Sequence, residues 1–182
     1  MKANNLFRNS TFALKRIYRL FRLKNKHEIV WKDLIKLHKQ SGWHFTHHEN
    51  DKVIVTSIHD NDTTLEIYFM IEGEKLLFFT YLLPEFDIER TNDVMILSSH
   101  LNSLMRDGVV CVNLHHNDVR YTHTGDLLRY LLYPEEIYQD LTMHFILAKE
   151  GFISFKSMLN TGDDPVFIVA DLMKRVERIK QD

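Results

Sequence analysis

One cysteine, three prolines and six glycines in 182 residues leave this chain with little of what stapled, repetitive or loop-rich proteins are made from. The lone Cys111 forbids an intramolecular disulfide. Within the apolar run VVCVNL it reads as a small buried residue of a reducing compartment, so a cytoplasmic protein is expected. No apolar run approaches the roughly 20 residues a membrane-spanning helix needs, although contact with a membrane surface stays open. With so few glycines there is no phosphate-cradling loop, and no H-E-x-x-H pattern occurs. Asp60-Asn61-Asp62 lacks the glycine and distal glutamate of a calcium loop. Eleven histidines invite a metal site, above all His44, His47 and His48 with His115 and His116. Yet in a strand His44 and His48 stand about 13 Å apart at roughly 3.3 Å per residue, with His47 on the other side. No catalytic residues, cofactor, metal or small-molecule substrate is therefore expected. A small hydrolase or metal-dependent enzyme using His44, His47 or His116 is the alternative.

Acidic residues are missing from the start of the chain. Lys2, Arg8, Lys15, Arg16, Arg19, Arg22, Lys24 and Lys26 precede the first acid, Glu28, so residues 1–26 carry +8 and the remainder −10, making the net −2. Lys15, Arg16, Arg19 and Arg22 fall on one side of a helix and Leu14, Ile17, Tyr18, Leu20 and Phe21 on the other, a basic amphipathic pattern. Four readings are open: a helix docked on its own acidic domain, an anionic membrane contact through those four bases, an organelle transit peptide, and a nucleic-acid contact, the last disfavoured. Charges every three or four residues deny it a secretory signal's apolar centre.

What is present in quantity is hydrophobic residue, 45% of the chain, enough for a substantial core. Thr64 to Leu83 (TLEIYFMIEGEKLLFFTYLL) organises the rest: two alternating runs around Glu72-Gly73-Glu74 predict a hairpin, because Gly takes positive φ cheaply. Turning at Gly73-Glu74 pairs Ile71 with Leu76, Phe69 with Phe78, Ile67 with Thr80 and Leu65 with Leu82 on a core face. The other face holds Tyr68, Met70, Leu77, Phe79 and Tyr81. Cover by the chain's own helices, such as the one after Pro134, is the ordinary expectation for such a face. Left open, it is a candidate protein-binding surface.

Around this hairpin the periodicity predicts a helix from His27 to Gln40 and a hairpin of Trp43–His48 with Lys52–Ile58 about Asn50-Asp51. A helix over Glu89–Arg106 follows, buried through Val94, Leu97, Leu101 and Leu104 or Met105. Next comes a third hairpin, Val109–Leu114 with Val119–Thr124, whose inward candidates are Val110, Val112, Leu114 and Tyr121. A helix starts at Pro134, with Ile137, Leu141, Phe145, Ala148, Phe152 and Phe155 or Leu159 inward and a possible break at Gly151. The last helix starts at Pro165 and turns Val169, Leu172, Met173, Val176 and Ile179 inward. The fold class is α+β: a largely antiparallel sheet of about six strands in three hairpins packed with helices, in the order α-ββββ-α-ββ-α-α. Residues 1–26 form a basic segment and 27–182 a single domain.

This order, with Glu72-Gly73 before an apolar strand, Leu101-Asn102 in the following helix and Gly108-Val109 opening a short strand, resembles the YbjN-like domain family of small bacterial proteins from His27 onward. The resemblance implies a fold akin to type III secretion chaperones, which bind segments of other proteins, often as dimers, and it supplies no catalytic residues. A non-enzymatic chaperone or adaptor module, with a regulatory role open to it, is therefore expected. A peripheral membrane protein held by the basic helix is the alternative. Met95 and Ile96, outside the narrow core stripe of their helix, are candidate homodimer or partner contacts, unless that stripe is simply broad.

Overall fold

The structure is a computed structural model and describes residues 14–48, 52–60 and 63–179, with side chains through 174. The turn at Asn50-Asp51 and the inward positions Val176 and Ile179 lie outside that description. Residues 14–21 form helix α1, and a single 3₁₀ turn at Leu23–Asn25 leads into α2 (Lys26–Ser41). Strands β1 (Phe45–His48), β2 (Val53–Asp60), β3 (Thr63–Glu72) and β4 (Lys75–Leu83) follow, then α3 (Thr91–Leu104), β5 (Val109–Asn113) and β6 (Asp118–Asp126). Helices α4 (Leu127–Leu132), α5 (Glu136–Thr161) and α6 (Pro165–Ile179) close the chain. The six strands make one sheet in the order β1-β2-β3-β4-β6-β5, antiparallel throughout.

The central hairpin takes the expected register, with Ile71 opposite Leu76 and Phe69 opposite Phe78, and Gly73 at φ 54° in the turn. All the helices that pack on the sheet do so from one side. Val30 and Leu34 of α2 join Ile54, Ile67, Phe69, Leu76 and Phe78 in one hydrophobic cluster, with Tyr130, Ile137 and Leu141 above them. Leu65, Leu82, Val94, Leu97, Tyr121 and Phe155 anchor a second cluster, and Phe145 of α5 packs against both.

Helix α5 runs unbroken through Gly151, whose absent Cβ would lie 2.9 Å from Leu82 Cδ1. The glycine is thus a close-approach residue and not a break. Gly125 of β6 serves Tyr130 in the same way: a Cβ there would stand 1.8 Å from the phenol oxygen, which instead donates to Asp140 Oδ2 at 2.6 Å. Asn102 of α3 accepts from the Val110 backbone at 2.7 Å and donates to the Val110 carbonyl at 3.0 Å, closing that part of the sheet edge. Gly108, at φ 78°, sits where a Cβ would meet the Tyr121 hydroxyl at 2.5 Å. The Leu101-Asn102 and Gly108-Val109 pattern therefore has structural work to do.

Several expectations are corrected. Helix α4 was not foreseen; Asp126 caps it by accepting from the Leu128 and Arg129 backbones at 2.8 and 3.0 Å. Cys111 is exposed, because its register opposite Arg120 points it away from the helices. Leu114 lies exposed in the turn after β5, and Met173 is exposed on α6, where Ile168 takes a buried place beside Val169 and Leu172; of the alternatives Leu104 and Met105, it is Met105 that packs on the core.

Buried histidines give the core a pH dependence. His144 accepts or donates at Thr80 Oγ1, 3.0 Å away, and is surrounded by Phe78, Tyr121 and His123. Burial, reinforced by His123, holds its imidazole far below the ordinary range, at about 3. Burial also lowers His38, against its 2.8 Å bond to the Leu34 carbonyl, and lowers His123. Each folds neutral but takes a proton near pH 6.5 when unfolded. Stability is complete above that value and falls as pH drops through it, by about 1.4 kcal/mol per unit for each histidine until its folded-state value is reached. Urea unfolding should accordingly show a lower midpoint at about pH 5 than at about pH 7.5, with a shallower pH slope in His144→Gln; equal midpoints would contradict the assignment.

Candidate functional site

Alternation along β3 and β4 sends Leu65, Ile67, Phe69, Leu76, Phe78, Thr80 and Leu82 under the helices and their neighbours to the opposite face. There Tyr68, Met70, Leu77, Phe79 and Tyr81 lie half-buried, and none of them belongs to either hydrophobic cluster. Three of them shield one another. The Tyr68 and Phe79 rings stack at 4.8 Å and 11°, and Tyr81 meets both edge-on at 5.8 and 6.0 Å. Arg120 of β6 lays its guanidinium over Tyr81 at 4.6 Å and near Phe79 at 5.9 Å. Asp118 fixes that guanidinium with two bonds, Nε to Oδ1 at 2.8 Å and Nη2 to Oδ2 at 3.0 Å. A residue two positions away can do this because β-strand side chains at i and i+2 share a face.

Beyond Tyr81 the strand bulges: Tyr81 pairs with Arg120 but Leu83 with Val119, so Leu82 is extra and Leu83 turns into the core. The bulge ends the aromatic face and opens a concavity of about 700 Å³ lined by Glu66, Tyr68, Tyr81, His116, Arg120 and Phe152. Tyr68 donates to Glu66 Oε2 at 2.8 Å, and its phenol is pushed up to about 12, first by burial and then by that bond. The hydrogen bond to Asp118 raises the Arg120 guanidinium too, so the arginine keeps its charge. Arg120 and its hold on Asp118 were not singled out from sequence. The one signal was spacing, an acid and an Arg two apart in a strand.

The remaining sequence candidates are dispersed. Arg16 and Arg19 of α1 turn onto the domain, Arg19 binding both oxygens of Asp33 at 2.7 and 3.2 Å, while Lys15 and Arg22 are exposed. Met95 and Ile96 stand exposed on α3. His47 Nε2 accepts from Trp31 Nε1 at 3.3 Å, and His115 and His116 sit together in the β5–β6 turn. Among the described residues, no group of three His, Cys, Asp or Glu side chains is placed to hold a metal ion, and no helix is long and apolar enough to cross a membrane.

No family model matches this sequence, and no curated protein matches it. Among solved structures the chain is similar to the crystal structure of YbjN from E. coli, at 9% identity, over 64% of this chain and 87% of that one, with a TM-score of 0.46. The resemblance read in the sequence names the same family. At that identity no residue's role passes from one chain to the other.

The Arg120–Asp118 pair yields a stability prediction. Asp118 is buried, and Arg120→Ala leaves its carboxylate without either strong donor. Urea unfolding should register a loss of about 1–3 kcal/mol, discounted for the partly exposed arginine, and Arg120→Lys should recover part of it. An alanine variant as stable as the parent would show that water satisfies Asp118 equally well.

Proposed function

We propose that this protein is a non-enzymatic binding module of chaperone or adaptor type, which takes an apolar segment of a partner protein on the helix-free face of its sheet. The observation that carries this reading is the set Tyr68, Met70, Leu77, Phe79 and Tyr81, drawn together outside both core clusters and bounded by an arginine held in place by Asp118. Self-stacked rings are already ordered, so a partner's side chains meet a preformed platform and little conformational entropy is lost on binding. Edge pairing is less suited, since Asn102 occupies the Val110 backbone on β5 and β1 is only four residues long. Peptides selected from a random library on the folded protein should be rich in aromatic and branched apolar residues. Their affinity should fall at least about tenfold in Leu77→Lys and in Phe79→Ser, two changes on a partly open surface, with melting temperature monitored in parallel. Peptides that bind both variants unchanged would place recognition elsewhere.

A second contact, with another copy of the chain, is favoured by α3. Met95 and Ile96 are 47% and 45% exposed, which argues against the broad core stripe as their explanation. Sedimentation equilibrium should find a weak or moderate homodimer that Met95→Glu with Ile96→Glu converts to a folded monomer. A monomeric parent at the same concentrations removes the dimer.

A further inference from the structure

An amphipathic helix on a globular domain ordinarily buries its apolar side. Helix α1 does the reverse. Its basic side faces the protein: Arg19 grips Asp33 and donates to the Leu131 carbonyl at 3.0 Å, and Arg16 lies over the Tyr133 ring at 4.2 Å with Glu135 3.6 Å away. Beyond it, at the start of α2, Lys26 pairs with Glu74, and His27 Nε2 meets the Gly73 carbonyl at 2.8 Å. The opposite side carries Leu14, Ile17 and Phe21, at helical spacing and 65%, 50% and 84% exposed, with Tyr18 beside them. Lys15, Arg22 and Lys24 are exposed along the same helix and the turn after it, and no acid precedes Glu28, which is paired with Lys32 and also lies within electrostatic reach of Arg22.

We infer that α1 is a docking element for anionic lipid bilayers, inserting Leu14, Ile17 and Phe21 among the acyl chains while Lys15, Arg22 and Lys24 engage the headgroups. Charge selects a bilayer over a protein: exposed bases beside an apolar stripe complement an anionic surface, and each basic residue near such a surface strengthens binding by about fivefold. Insertion into an interface asks for a stripe of this kind with bases beside it. Arg16 and Arg19, spent on the domain, hold the helix so that its apolar side points outward. Binding here is independent of the sheet face, which lies on β3 and β4.

Co-sedimentation of the full chain with phosphatidylcholine vesicles, with and without phosphatidylglycerol, tests this. The parent should bind the anionic vesicles, and Ile17→Ser with Phe21→Ser should weaken binding about tenfold or more, as should Lys15→Glu with Arg22→Glu. All four side chains are exposed, so circular dichroism and melting temperature should be unchanged in both variants. No binding to anionic vesicles, equal binding to neutral ones, or full binding by the serine variant would each overturn the inference. So would sedimentation equilibrium showing a parent dimer that the serine variant abolishes, since a second copy would then be the occupant.

Discussion

The contact between α5 and β4 is the constraint from which the rest of this molecule follows. Where the helix crosses the strand, Gly151 lets the backbone close on Leu82, and nearby His144 Nε2 and Thr80 Oγ1 share a hydrogen bond in a wholly buried setting. Phe145 touches both hydrophobic clusters, so this helix joins the α2–α4 half of the core to the α3–α6 half. Because the seat needs a helix against the Phe78–Thr80–Leu82 row, it commits that face of β4, and through pairing the same face of every strand, to the interior. A period of two then leaves the alternate residues outside.

On β3 and β4 five of those residues, Tyr68, Met70, Leu77, Phe79 and Tyr81, are apolar or aromatic, and that conflict shapes the opposite face. Tyr68, Phe79 and Tyr81 reduce their contact with water by stacking on one another, while Arg120 and Glu66 supply charge at the rim. The bulge at Leu82 confines the problem by returning Leu83 to the core one residue early. The helical side already secures the fold, so this face adds little to the core and is the surface on which the proposed binding rests.

Strand registers were legible in the sequence because a single glycine turn fixes pairing: Glu72-Gly73-Glu74 gave Ile71 with Leu76 and all that follows from it. Helix faces were legible wherever the stripe was narrow, as with Val94, Leu97 and Leu101. The core face of the central hairpin was read correctly; what could not be read was whether helices would cover the second face as well, since it too is apolar and periodicity does not say how many layers pack on a sheet. Cys111 was misplaced for a related reason: a run such as VVCVNL has no polar alternation to mark its two sides, so only the pairing with Arg120 reveals the outward one. Helix α4 escaped because six residues, five of them large and apolar, show no period at all. Its cap, Asp126 after a strand, was the available sign.

The N-terminal helix separates two uses of charge that composition alone merges. Eight bases before Glu28 and an acidic remainder predict attraction between the two parts, and Arg19 with Asp33 and Lys26 with Glu74 realise it. Attraction of that kind has a geometric consequence on a helix whose bases and apolar residues occupy opposite sides: satisfying the bases inward turns the apolar side out. Exposed ion pairs contribute little stability, commonly below about 1 kcal/mol, so the bidentate Arg19–Asp33 contact, only partly exposed, is what sets the helix's orientation. Leu14, Ile17 and Phe21 stay largely in water, at a hydrophobic cost. A helix rotated by half a turn would bury them and strand Arg19. The acids at Asp33 and Glu135 hold the basic side, and the same contacts turn the apolar one outward.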